Sequence, residues 1–452
     1  NKKLYYMDFT SMYPYKMRDC IYPYGLMNII EGDNLEYNPE WFGFVKVLLK
    51  HKHKKYKPYH PIKHNEKLVF GYINDFRELI ITTEELKYSL DNDLGYEYKY
   101  IKVYNYKNKC KLFNQVITDM FKLKSEAEKK ENESLRATAK TILNSLYGFW
   151  GLNYYKRDKN IIKDNRIESN LNKGQEYINN KIEKNKNNIF NSFLTDNKLK
   201  NVVDIGDHTL YQIEGEIQPN CANVGIAFMV SAYARTELYN LIFDIEKIGG
   251  TVYYCDTDSV ITDIDIPKNK ILHNKYIKTN TALLGELTNE ATKIYTKLLK
   301  QNNIDDKEIK KYIKKETPYF TELITIANKF YYLKINFIYK GVEYNACIKK
   351  GKGIDLKAKY NNKIIDNENK IIEFQNKSMD GKYTFEREDY IYLVSDYIIQ
   401  CDTLSFSSNF NNSIMNQQGL IKMNIDKTIT KLYDKGEYNI IDGSIKSLDI
   451  YN

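Results

Sequence analysis

Apolar and polar positions change rhythm along the chain, and those changes divide it. Leu4-Tyr5-Tyr6-Met7 reads as an extended segment, Thr10-Ser11 can cap a helix beyond it, and Pro23-Tyr24-Gly25 is a break. Phe42, Phe44, Val45, Val47 and Leu48 predict a strand over 41–50, with further strands at 67–73 and 98–104. Thr83-Glu84-Glu85 marks a helix start, so the block 26–112 reads as mixed helix and strand. From 113 to about 148 the rhythm is helical, and the charged stretch 122–133 predicts two helices joined by a short exposed turn. Residues 222–243 form a long apolar-periodic helix ended by Gly249-Gly250, and 251–261 reads as strand, turn, strand. Residues 281–300 read as helix, and 330–337 with 343–349 as paired strands around Gly341. The last hundred residues read as mixed helix and loop.

Composition changes this picture in one place. Of the 44 residues from 158 to 201, twelve are Asn and eight are Lys, too little apolar surface for a core. An exposed, poorly ordered insertion is expected there. The whole chain has 452 residues, a length that predicts two to four packed subdomains. With 42% hydrophobic and 28% charged residues it is not mostly disordered, and 21 Gly with 8 Pro exclude a collagen-like chain. No uninterrupted apolar run reaches the roughly 18 residues of a membrane span, so no membrane partner is expected.

The formal charge is +9, which allows a polyanion partner. The 41 Tyr against 2 Trp, with abundant Lys, Asn and Ile, follow A/T-rich codons, so the Lys count by itself carries little. Six scattered cysteines read as reduced thiols. His51, His53, His60 and His64 fall close together with no cysteine nearby, and a solvated loop is favoured over zinc. There is no signal or transit pattern and no initial Met, and the chain opens directly into a strand, which reads as a trimmed fragment.

Three segments carry chemistry. In Tyr254-Cys255-Asp256-Thr257-Asp258-Ser259 two strand segments flank two carboxylates, which crowd together at a hairpin tip and favour a divalent cation; a solvated turn is the plain alternative. In Asp8-Phe9-Thr10-Ser11-Met12-Tyr13-Pro14 an Asp ends a strand and the chain turns into a helix, whose first N–H groups can hold phosphate oxygens. Arg136, Lys140, Asn144 and Gly148 recur every four residues, near one helix face; two cations and an amide there suit a triphosphate, and a solvated basic stripe is the alternative.

Taken in chain order, Asp8–Pro14, Lys140–Gly148 and Tyr254–Ser259 resemble motifs A, B and C of the B-family DNA polymerases. The likeness extends to Ala232-Tyr233-Ala234-Arg235, Leu284-Gly285 with Glu290, Lys329-Phe330-Tyr331 and Lys349-Lys350-Gly351-Lys352-Gly353-Ile354. Within that family the chain is similar to the protein-primed branch of phages, adenoviruses and organellar linear plasmids. The resemblance implies an α+β right-hand fold of palm, fingers and thumb. Residues 1–25 and 221–330 would be palm, 26–112 a first branch-specific insertion, 113–151 fingers, 152–220 a second insertion, and 331–452 thumb and C-terminal region.

The implied reaction adds a dNTP to a primer 3′-hydroxyl with two Mg²⁺ ions, Mn²⁺ being a possible substitute. Asp8 and Asp258 would ligate the metals with the carbonyl of Phe9, and Asp256 would support them. The N–H groups of Ser11, Met12 and Tyr13, with Lys140 and Arg136, would hold the triphosphate. Tyr13 would exclude a 2′-hydroxyl, Asn144 and Tyr147 would shape the base-pair pocket, and Gly148, Lys329 and Tyr331 would meet DNA. The partners implied are DNA template and primer, dNTPs and a terminal protein, in a mitochondrial or viral setting. No proofreading is expected from this chain, since Asp8 stands almost at its start. The rival readings are an inactive DNA-binding remnant and a replication scaffold. Reverse transcriptases fit less well, because Thr257 separates the two aspartates.

Overall fold

The computed structural model describes residues 2–53, 58–64, 67–151, 157–164, 199–205, 208–215, 223–278, 283–327 and 329–351, then 363–365, 371–373, 386–392 and strands between 403 and 449. The chain divides into two units, residues 1–147, 228–413 and 422–452, and residues 148–227 and 414–421.

At the centre of the first unit is a four-stranded sheet in the order Val252–Asp256, Ser259–Thr262, Tyr5–Phe9, Leu287–Asn289. All its pairings are antiparallel. The period of two in the strand Tyr5–Phe9 decides what faces where. Tyr5, Met7 and Phe9 are buried against Leu238, Leu241, Ile242 and Ile245 of the helix Val224–Lys247. Tyr6 and Asp8 therefore point to the opposite face. The long helix ends at Gly249, whose φ of +83° is the left-handed conformation that closes helices.

That helix has a second buried side. Tyr239 joins the core of a four-stranded sheet in the order Met27–Leu35, Tyr96–Tyr106, Gly43–His51, Arg77–Thr82. A helix covered on two sides is apolar over most of its circumference, as Val224–Lys247 is. The helix Thr83–Asp91 packs onto the same core through Leu86 and starts with a reciprocal capping box between Thr82 and Glu85. Helices Asn114–Lys129 and Glu133–Trp150 are joined by three residues, matching the two-helix expectation. A third core lies where helices Glu290–Gln301 and Asp306–Lys315 meet the sheet Glu322–Ala327, Phe330–Tyr339, Val342–Gly351. Gly341 sits in the turn of its hairpin at φ +80°. Among the described residues no helix is long and apolar enough to cross a membrane.

Four sequence expectations need correction. Residues 281–300 are not one helix: Leu287–Asn289 pairs with Phe9, Asp8 and Met7, and the helix starts at Glu290, capped by the Asn289 side chain. The Asn/Lys-rich tract is not structureless throughout. In the second unit Arg157–Asp164 and Leu199–Ile205 flank His208–Gly215 in an antiparallel sheet, and 165–198 lie outside the described residues. Beyond residue 400 the described residues are strands, not helix and loop.

The fourth correction concerns the histidines. His51 and His60 are 3% and 0% exposed, not solvated. His51 Nδ1 accepts from the Ile73 N–H at 3.0 Å, and His60 Nε2 meets the Tyr98 hydroxyl at 2.8 Å. Burial, with the charge of Arg235 next, holds the His60 imidazole well below its ordinary range. Among the described residues no three His, Cys, Asp or Glu side chains group to hold an ion.

Candidate active site

Asp8 sits one residue before the end of the central strand, opposite Ser259 on one side and Thr288 on the other. The hairpin carrying Asp256 and Asp258 is the next connection in the same sheet, so the two motifs meet by register. The Phe9 N–H donates to the Asp258 carbonyl at 2.8 Å, and the Thr10 N–H to the Glu286 carbonyl at 2.9 Å. Thr257 turns the hairpin at φ +49°, and the Asp258 N–H reaches back to the Asp256 carbonyl at 2.5 Å. Positive φ at a β-branched residue costs of order 1–3 kcal/mol, and such strain concentrates at functional sites. Here it projects Asp258 off the hairpin end, while the Thr257 and Ser259 hydroxyls bond Asp256.

Burial pushes the Asp8 carboxyl up to about 7, and the charges of Asp258 and Glu290 add to it. Burial, then Asp256, pushes Asp258 up to about 6, against the pull of Lys329. Acids that cost this much to ionise together form a hard-oxygen donor set that a divalent cation suits. Mg²⁺ is commonly held by one or two carboxylates with substrate phosphates completing its shell, and the residues present fit that pattern. Asp256 is placed differently, since Lys329 Nζ lies 3.2 Å from its Oδ2.

Beside the acids, the helix Met12–Asp19 begins at Ser11, in the left-handed region at φ 54°. No side chain caps this end and no acid lies in its first turn. Pro14 has no N–H, and the Tyr15 N–H goes to the Ser11 carbonyl. The N–H groups of Ser11, Met12 and Tyr13 are thus the donors at an end suited to anions. The Tyr13 ring stacks on Tyr147, with centroids 4.3 Å apart and planes at 11°. The Tyr147 hydroxyl meets Ser231 Oγ at 2.8 Å. Burial, then Tyr147 and Asp258, pushes the Tyr13 hydroxyl up to about 12.

Lys140, Asn144 and Gly148 lie exposed along the helix Glu133–Trp150, whose Ala139 and Leu143 are buried. Arg136 is tied to Glu133 at 2.8 Å. Sequence reasoning missed two further cations. The Lys124 ammonium is pushed down by burial, against the pull of Glu128, and then by the charges of Lys140, Arg136 and Lys293. These four cations lie on three helices, and nothing in local spacing joins Lys293 to the rest. Tyr331 is buried, its hydroxyl 3.2 Å from that of Tyr6 and its ring edge-on to Tyr254. A primer contact there would need that hydroxyl to change partner.

An antiparallel sheet with Asp8 near the end of a central strand and Asp258 on the adjoining hairpin, beside an uncapped helix start, is the layout of a nucleotidyl-transferring polymerase fold. The family model described as DNA polymerase type B, organellar and viral, matches residues 1–247, and the chain belongs to that family. It is similar to the probable DNA polymerase of Podospora anserina, at 28% identity over 60% of this chain and 22% of that protein. It is also similar to the probable DNA polymerase of Neurospora intermedia, at 24% identity over 65% of this chain and 28% of that one. The matched region thus spans under a third of either fungal relative. The phi29 DNA polymerase has the same fold: its orthorhombic crystal form matches with TM-score 0.50 and 15% identity over 95% of this chain and 58% of that one. The complex of phi29 polymerase with primer-template DNA and incoming nucleotide substrates matches with TM-score 0.51 and 15% identity.

Proposed function

We propose that this chain carries the polymerising core of a DNA polymerase that extends a primer 3′-hydroxyl with dNTPs on a DNA template. The observation that carries the reading is the placement of Asp8 and Asp258 on one sheet end, next to the uncapped start of the helix Met12–Asp19. Asp8, Asp258 and the Phe9 carbonyl would hold two Mg²⁺ ions, with Mn²⁺ as a substitute. When bound, such ions stabilise the attacking and leaving oxygens of phosphoryl transfer.

The chain's own residues do the rest. The N–H groups of Ser11, Met12 and Tyr13 orient the triphosphate, and Lys140 neutralises it, joined by Arg136 when it leaves Glu133. Lys329 lies 3.2 Å from Asp256 and partly offsets the charge that Asp256 places beside Asp258. Tyr13 lies under the sugar and leaves no room for a 2′-hydroxyl. Tyr147 and Asn144 shape the base-pair pocket. Among the described residues a Cβ at Gly148 would meet nothing within 4 Å, so a nucleic-acid backbone could approach there. Lys329 and Tyr331 then turn to the primer strand as it binds.

In this reading residues 1–25 and 221–330 are palm, 113–151 fingers and 331–452 thumb and C-terminal region, with insertions at 26–112 and 152–220. The family and the fungal relatives support a mitochondrial linear plasmid as the genome served, with a viral genome as the alternative, and a terminal protein would be its primer. The test is extension of a DNA primer on a template with dNTPs and Mg²⁺. Extension that disappears in Asp258→Ala supports the reading. Template binding without extension points to an inactive remnant.

A further inference from the structure

The nucleotide pocket has a brace whose anchor, Glu85, lies outside every motif. Arg235 lies on the helix Val224–Lys247 one turn after Ser231, so both side chains leave the same face. Ser231 bonds the hydroxyl of Tyr147, and Tyr147 stacks on Tyr13. Arg235 is itself gripped by Glu85, 150 residues earlier in sequence, in the region 26–112. Among the described residues Glu85 is the one carboxylate within ion-pair distance of Arg235.

Glu85 cannot shift freely, because each of its oxygens has a separate task. Oε1 takes the guanidinium, and Oε2 accepts from the Thr82 N–H at 3.1 Å and from its hydroxyl at 3.0 Å. The Glu85 N–H donates in return to Thr82 Oγ1 at 3.1 Å. Its side chain is 1% exposed and that of Arg235 15%, so the pair is out of water and its geometry is fixed. The charge of Arg235 also reaches the Tyr13 hydroxyl, where it opposes the effect of burial.

We infer that Glu85 is a positioning residue for nucleotide selection: it anchors Arg235, and with it the helix face from which Ser231 holds Tyr147 over Tyr13. The region 26–112 is then part of the nucleotide pocket's frame, beyond any role at a surface. The inference rests on the polymerase reading and deepens it.

The test compares wild type with Glu85→Gln, which keeps the volume and an acceptor for Thr82, and with Glu84→Gln as a neighbouring control. Glu85→Gln should raise the KM for dNTP about fivefold or more, leave kcat within about twofold, and narrow the preference for dNTP over rNTP. Glu84→Gln should match wild type. Since Glu85→Gln leaves a buried cation without its partner, the double variant Glu85→Gln/Arg235→Met is the companion that restores neutrality. It should be no worse than Arg235→Met alone. A wild-type KM and sugar preference in folded Glu85→Gln would overturn the inference, as would multiplicative effects in the double variant. Equilibrium binding of dNTP to the protein on primer-template separates the two readings. A wild type that binds dNTP without extending primers sinks the activity but still reports the Glu85 effect as a change in Kd. A wild type that binds no dNTP sinks both.

Discussion

Gly285 is a position beside the candidate site where a single methyl group should do marked harm. It takes φ +85°, and its N–H donates to the Thr10 carbonyl at 2.9 Å, tying the 283–286 segment to the end of the strand that carries Asp8. A Cβ built there would lie 2.3 Å from Tyr15 Cδ2, 2.4 Å from Cγ and 2.6 Å from Cε2. Gly285→Ala therefore incurs two costs. Holding an L residue in the left-handed region costs about 1–2 kcal/mol. Forcing the Tyr15 ring aside in a packed site costs about 1–3 kcal/mol more. The expected loss is about 2–5 kcal/mol, a fall of roughly 3–8 °C in melting temperature for a unit of this size.

Thermal and urea denaturation followed by circular dichroism measure it. The two contributions separate in a Tyr15→Ala background, where the clash is gone and only the backbone cost of about 1–2 kcal/mol remains. Primer extension should fall along with stability in the single variant, because Thr10 and the end of the Asp8 strand move with the segment. An unchanged melting temperature for Gly285→Ala, or an equal cost in both backgrounds, would refute the reasoning.

Three other outcomes are expected. Tyr13→Val should relax discrimination against ribonucleotides in extension assays, and unchanged discrimination would contradict the place given to its ring. Asp8 titrates at about 7 in the folded chain against an ordinary 3.8, so the folded state holds a proton that the unfolded state releases. Its stabilising share is complete below about pH 4 and is lost as pH rises through 7, so ion-free Asp8→Asn should melt above wild type near pH 8, with the gap closing toward pH 4. Equal melting near pH 8 would remove that account. Burial pushes the Cys20 thiol up to about 11, while Cys110 is exposed, so iodoacetamide near pH 8 should label Cys110 well before Cys20; peptide mapping reads the order.

Much of the site was legible because its parts are local. The hairpin of Asp256 and Asp258 and the strand-to-helix turn after Asp8 each occupy about six residues, and an alternating or helical rhythm flanks them. The pairing of helices Asn114–Lys129 and Glu133–Trp150 was legible for the same reason. What escaped reading is what the tertiary fold assembles. The charge of Lys293 acts on Lys124 from another helix, and Glu85 reaches Arg235 across 150 positions. Leu287–Asn289 is too short to show a strand's alternation, so the helix after it absorbed it. Lys50 and Lys52 flank His51, and Lys57 and Lys63 lie three residues either side of His60, which hid the aromatic core that Tyr59, Tyr96 and Tyr98 build around them. In the Asn/Lys-rich tract, composition outweighed the pairing potential of Arg157–Asp164, whose register with His208–Gly215 runs through all eight residues.

The central claim is that the sheet end bearing Asp8 and Asp258 performs template-directed nucleotide addition. The direct measurement is single-nucleotide incorporation on a primer-template, each dNTP against each templating base, for wild type, Asp8→Asn and Asp258→Asn. The account expects only the complementary nucleotide to be added by wild type, and none by either variant, with duplex binding retained in all three. Incorporation that persists in both variants, or that ignores the templating base, would contradict it.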